Sequence, residues 1–154
     1  HHFRLDDPML EHAPAKEHDI VMVVSNQHPR IRENPTLEDF LKERFVTVHE
    51  PLVRVENDSL ELERFLKQIA SLTTLEVPSA SQLPLYVECS DLVGLTSKSI
   101  AGWISQHYDI RILSLPIPVP AIGSYLVWHR DRDSDATHRW FREAFLKTIQ
   151  NADE

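Results

Sequence analysis

Ile20-Val21-Met22-Val23-Val24-Ser25 is an unbroken apolar run rich in valine. A run of this length and composition suits a strand buried on both faces, as in a sheet covered by helices on both sides. Asn26, Gln27, His28 and Pro29 stop it. Working outward, Thr36 is placed to cap a short helix, with Asp39 three residues later and Leu37, Phe40 and Leu41 as its apolar face. Residues 45–49 (FVTVH) read as a second strand. Asp58 or Ser59 caps a longer helix, where Leu62, Phe65, Leu66 and Ile69 fall at i, i+3, i+4 and i+7. Residues 73–77 (TTLEV) are rich in β-formers and end at Pro78.

The alternation continues. Ser79 to Ser81 lead into a helix reaching about Ser90, which tolerates Pro84 only in its first turn. Residues 92–96 (LVGLT) are a fourth strand. Ser97 caps a helix on which Ile100, Trp103 and Ile104 share a face. Residues 110–115 are a fifth strand and lead to the connection carrying Pro116, Pro118 and Pro120. Beyond it, residues 122–129 (IGSYLVWH) read as a sixth strand. Asp135 caps a final helix with Phe141, Phe145 and Ile149 on one face and Trp140, Ala144 and Thr148 beside them. Residues 1–18 are polar and show no clear period. His1 and His2 fit a tag remnant or native sequence equally well. Regular strand–helix alternation over residues 20–115 implies an α/β fold with a mostly parallel five-stranded sheet and helices on both faces.

Composition narrows the function. Of 154 residues, 16 are Lys or Arg and 24 are Asp or Glu, a net charge of −8. That balance lacks the cationic excess of a nucleic-acid-binding surface. Three glycines form no Gly-rich phosphate loop. Cys89 is the single cysteine. It is expected to be a small core residue on a helix, in a cytoplasmic protein. No apolar core follows the N-terminal residues as in an export signal, and no run is long enough to span a bilayer. His129, Asp131, Asp133 and Asp135 resemble the start of a calcium loop. Ala136 stands where that loop needs Gly and Arg142 where it needs Glu, so calcium is rejected. The nine histidines show no zinc spacing, and no nucleophile elbow or activated cysteine is evident. The expectation is a protein without metal, cofactor or enzymatic activity.

Several blocks, in order, resemble LysR-type transcriptional regulators. They are IVMVVS followed by His28-Pro29; Pro35 to Phe40 (PTLEDF); Val77 to Thr96 (VPSASQLPLYVECSDLVGLT); Ile112 to Pro120 (ILSLPIPVP); and, most specific, Tyr125 to Arg142 (YLVWHRDRDSDATHRWFR). The resemblance covers roughly residues 10–150. It implies the C-terminal effector-binding domain, a bilobed periplasmic-binding-protein type II-like fold. On this reading residues 1–18 are a remnant of the first lobe and residues 19–116 a complete second lobe. Residues 117–154 are the return strand and C-terminal helix of the first lobe, which is otherwise missing. The resemblance also implies a cytoplasmic homo-oligomer, dimer or tetramer, that reaches DNA only through an absent N-terminal helix-turn-helix.

Its ligand would be a small-molecule effector, a carboxylate or aromatic, held between the lobes. Strand carboxyl ends are where open α/β sheets bind ligands, and a helix start favours carboxylates. The Ser79-Ala80-Ser81 turn is therefore the first candidate, against ordinary N-capping. Thr47 and His49 end the second strand at the same edge, though His49 also fits a plain surface residue. Leu95 and Thr96, ending the fourth strand, complete the set. The alternative function is a solute-binding protein of the same fold with no transcriptional role. The last helix, with little first lobe to cover it, is expected to pack on a neighbouring chain or on the second lobe.

Overall fold

The computed structural model describes residues 7–49, 60–119 and 121–150, with no account of the side chains at 60–63. His1, His2, the caps expected at Asp58 or Ser59 and the side chain of Leu62 lie outside the described residues. The chain divides into two compact units. One holds Asp19–Ile122; the other holds His1–His18 and Gly123–Glu154.

The larger unit contains β2 (Ile20–Ser25), α1 (Leu37–Phe40), β3 (Arg44–Val48), α2 (Leu60–Leu72), β4 (Thr73–Val77), α3 (Leu83–Val87), β5 (Leu92–Ser97), α4 (Lys98–Ile104) and β6 (Ile110–Leu113). The smaller contains β1 (Leu10–His18) and α5 (Ala136–Gln150), and takes β7 (Ile122–His129) from Gly123 onward.

Five strands form one sheet in the order β4-β3-β5-β2-β6. β3 runs parallel to β4 and to β5. β2 is antiparallel to both its neighbours, β5 and β6. Four strands thus share one direction, and the valine-rich run that anchors the sequence reading is the one that opposes them. Its composition reports burial on both faces, which is true of it, but carries no information on direction.

Helices cover both faces. On one, Phe40 of α1 and Phe65 and Ile69 of α2 pack with Met22, Val24, Phe45, Val93 and Leu95. Phe40 meets Phe45 edge-on at 4.8 Å and stacks on Phe65 at 5.5 Å. On the other face, Leu83 and Val87 of α3 and Ala101 and Ile104 of α4 pack with Val21, Val23, Val46 and Val77. Alternate residues of each strand feed opposite cores, as a period of two requires. Leu115, Ile117 and Val119 pack against the first of these cores, so the proline-bearing connection stays with the sheet.

The capping signals that fall on described residues hold. Thr36 and Asp39 form a reciprocal capping box. Pro84 sits in the first turn of α3, where its missing N–H costs nothing. The segment expected as one helix from Ser79 is shorter: a 3-10 turn at Ala80–Gln82 followed by Leu83–Val87. Cys89 is exposed rather than in the core, because it falls beyond the last turn of α3.

In the smaller unit, β1 and β7 make a two-stranded sheet. The Arg130 N–H donates to Met9 O at one end, and the Ser124 hydroxyl donates to Lys16 O at the other. The strands are therefore antiparallel. β1 is a strand where the sequence suggested none. Only Ala15 along it is buried, so no apolar alternation announces it.

Candidate functional site

Register brings three strand ends together. Val48 of β3 pairs with Val77 of β4, and Val46 pairs with Gly94 of β5. Two residues further along, Val48 falls beside Thr96. The parallel strands therefore finish at one edge of the sheet, and all seven candidate residues lie along it: Thr47 and His49 on and after β3, Ser79, Ala80 and Ser81 after β4, and Leu95 and Thr96 on β5.

They do not present the same chemistry. Leu95 is buried in the core under α1 and α2. Thr47 points to the same side, being alternate to Val46. Thr96, on the opposite side, is wholly buried, and its Oγ1 has no hydrogen-bond partner among the described residues. These three build the wall behind the edge. The open groups are His49, Ser79 and Ser81, all exposed.

Ser79 Oγ accepts from the Ser81 N–H at 3.4 Å and lies 2.9 Å from Ser81 Oγ. Capping therefore occupies part of its capacity, and each hydroxyl can still turn outward. The His49 N–H donates to Val77 O at 2.8 Å, extending the β3–β4 ladder past the last paired residue. Its ring Nδ1 lies 3.3 Å from Glu76 Oε2, with both side chains mostly in solvent, where such a pair contributes little. One residue not expected from the sequence joins this edge. Ser97 caps α4 through the Ile100 N–H, and the exposed Lys98 follows it, its N–H bonded to Asp19 O at 2.8 Å. A lysine directly after a strand-ending serine was the available signal.

The sheet's opposite edge carries a charged network. Arg30 Nε donates to Glu43 at 2.9 Å and Arg30 Nη2 to Asp91 at 2.9 Å, while Arg44 reaches Asp91 at 2.8 Å. Glu43 is almost fully buried. Hydrogen bonds from Arg30, then the charge of Arg44, hold the Asp91 carboxyl below the usual carboxylate range. Hydrogen bonds to Glu43, then to Asp91, raise the Arg30 guanidinium above its ordinary value. His28 locks the loop beneath. Its Nδ1 accepts from the Arg30 and Ile31 N–H groups at 3.3 and 3.0 Å, so Nε2 carries the proton and donates to Asp91 O at 3.1 Å. With their charges mutually satisfied, these residues hold the β2–α1 loop to β3 and β5.

In the smaller unit Arg142 organises the other conspicuous motif. Its guanidinium lies 4.3 Å from the centre of the Trp128 ring and donates to Arg132 O, Asp133 O and Asp133 Oδ1. Asp135 caps α5 through the Thr137 and His138 N–H groups at 2.9 and 3.1 Å. The His138 bond, first, holds its carboxyl low. The run of aspartates thus serves turn and cap. Among the described residues no group of three or more His, Cys, Asp or Glu is placed to hold a metal, and no helix is long and apolar enough to cross a membrane.

Comparison with known proteins places this geometry. The family model described as the LysR substrate binding domain matches residues 1–150. The transcriptional regulator LeuO of Escherichia coli is 24% identical over 139 residues, covering 90% of this chain and 43% of LeuO. A solved probable transcriptional regulator from Pseudomonas aeruginosa superposes with a TM-score of 0.71 at 18% identity, over 93% of this chain and 45% of that one. The effector binding domain of QuiR, solved with shikimate, gives 0.67 at 15% identity, over 96% of this chain and 69% of that one. The chain therefore spans less than half the length of LeuO, and the low identities to solved structures speak to fold.

Proposed function

This chain belongs to the LysR substrate-binding domain family, and from that premise we propose that it is the ligand-sensing part of a transcriptional regulator, binding a small carboxylate at the strand-end edge of its larger unit. The observation that carries the reading is the register of β3 with β4 and β5, which sets His49, Ser79, Ser81 and Lys98 along one edge. Hydroxyls, an imidazole and an ammonium are the donors a carboxylate needs. Thr47, Ala80, Leu95 and Thr96 supply the backbone and wall behind them. QuiR in complex with shikimate supplies the ligand class by analogy.

Sensing requires differential affinity. A ligand shifts the regulator between states only by as much as it prefers one of them. DNA contact belongs to a helix-turn-helix elsewhere in the parent polypeptide, consistent with this chain's net charge of −8. The parent acts as a cytoplasmic homo-oligomer and performs no chemistry on its ligand. Relatives that are regulators favour this role over a solute-binding one.

A thermal-shift screen of the parent regulator against aromatic and alicyclic carboxylates tests the reading. Ligand at about 100 times its dissociation constant stabilises the folded state by about 2.7 kcal/mol. Replacing Ser79 and Ser81 by alanine should remove that shift. A full shift in the double variant would take the serines out of the site. No shift with any carboxylate would sink the ligand class.

A further inference from the structure

Arg142 is almost fully buried within the smaller unit. Besides the Trp128 ring and the turn at Arg132 and Asp133, it has one further partner. Its Nη1 lies 2.7 Å from His138 Nδ1, one turn back on α5. A guanidinium carries donors and no acceptor, so Arg142 donates and His138 Nδ1 accepts. The ring proton therefore sits on Nε2, and His138 is neutral in this arrangement. An imidazolium carries a proton on both nitrogens. A second proton and Arg142 thus compete for one lone pair, and only one of them can have it.

We propose that His138 and Arg142 form a pH-released latch: neutral His138 holds the guanidinium over Trp128, and protonated His138 lets it go. Histidine is the side chain that ordinarily changes charge between pH 8 and 5, an interval over which carboxylates ordinarily stay ionised. Protonation would remove the acceptor and set a second cation against a buried one. The surrounding charges frame that competition. Asp133 Oδ1 accepts from Arg142 Nη2 at 3.3 Å and from the Trp128 indole N–H at 3.2 Å. Asp135 accepts from the Thr137 and His138 N–H groups and lies 3.5 Å from Arg132. Both carboxylates draw a proton towards the ring, and the guanidinium opposes it. On β1, which packs against α5, Glu11 pairs with Arg130 at 2.9 Å and the His12 ring lies edge-on to Tyr125. On β7, His129 Nδ1 accepts from the Asp131 N–H and lies 3.5 Å from its carboxylate. The consequence is local to the turn between β7 and α5. Because Trp128 and Arg142 share Asp133 Oδ1, release of the cation alters the surroundings of the indole. The latch is independent of the sensing role proposed above.

The test follows two NMR signals of the intact chain between pH 8 and 5.5: the His138 ring and the Trp128 indole N–H. In the parent, the Trp128 signal should shift in one step with the same midpoint as the His138 ring. His138→Gln offers Arg142 an amide oxygen and takes up no proton over this interval, so the Trp128 step should vanish. His129→Gln removes the other histidine beside the turn and should leave the step in place. A Trp128 signal that stays still while His138 titrates would overturn the proposal. So would a His138 ring that takes up no proton down to pH 5.5, a step that survives in His138→Gln, or a step that disappears in His129→Gln.

Discussion

Gly94 shows how much one missing methyl can decide. A Cβ there would stand 2.9 Å from Val23 Cγ2 and 3.2 Å from Val87 Cγ2, both in the packed face under α3. Gly94→Ala should destabilise the larger unit by about 1–3 kcal/mol through overpacking, read as a lower urea midpoint with an unchanged slope; an unmoved midpoint would mean that α3 can shift freely. Asp91 makes a pH-dependent contribution. Its folded carboxyl titrates below the unfolded value, so its contribution is complete above the ordinary carboxylate pKa and disappears as pH falls through the folded one. Asp91→Asn should therefore flatten the acid limb of the stability profile while leaving its alkaline limb in place. Added salt should weaken the effect, since Arg30 and Arg44 are half in solvent. An acid limb identical to the parent's would assign the acid sensitivity elsewhere. At the candidate edge, Lys98→Met should weaken carboxylate binding several-fold through loss of one charged donor, measured by calorimetric titration. Unchanged affinity would leave the serine hydroxyls and His49 as the donors.

At the scale of elements, local chemistry, burial and the shared direction of four strands were legible, and the reversal of β2 was not. Thr36 and Asp39 announced α1 by spacing alone, and the box they form closes as expected. Thr36→Ala should cost about 1 kcal/mol, seen by chemical denaturation, because the four-residue helix it caps delivers Phe40 to the core; a cost near zero would show Phe40 packing to hold α1 unaided. The Phe65, Leu66 and Ile69 stripe of α2 likewise names its buried face. β1 escaped because neither of its faces is consistently apolar: His12, Lys16 and His18 share one with Leu10 and Pro14, Glu11 and Glu17 share the other with Ala13 and Ala15, and only Ala15 is buried. The charged network escaped because its members lie far apart in sequence, with Arg30 meeting Glu43 and then Asp91, 61 positions on. No local period records such a meeting. The strand ends of the candidate edge were legible, whereas which side chains face outward was not. That depends on register, which leaves Thr96 in the wall and His49 in solvent.

For the whole molecule, the two units differ in how they are held. The larger has two apolar cores on either side of a five-stranded sheet. In the smaller, Ala15 and Arg142 are the only buried residues among those described, while Trp140 and Phe141 of α5 are 69% and 54% exposed. Amide exchange should accordingly be fastest in β1 and β7 and slowest in β2 and β5; equal protection would mean that the two units open together.

We propose that a small-molecule ligand binds at the shared carboxyl end of β3, β4 and β5. Backbone amide NMR during titration with shikimate and benzoate addresses it most directly. The expected result is a saturable set of shifts confined to residues 47–49, 79–82 and 95–98. Saturable shifts centred instead on His28, Arg30 and Asp91, at the other edge of the sheet, would contradict it.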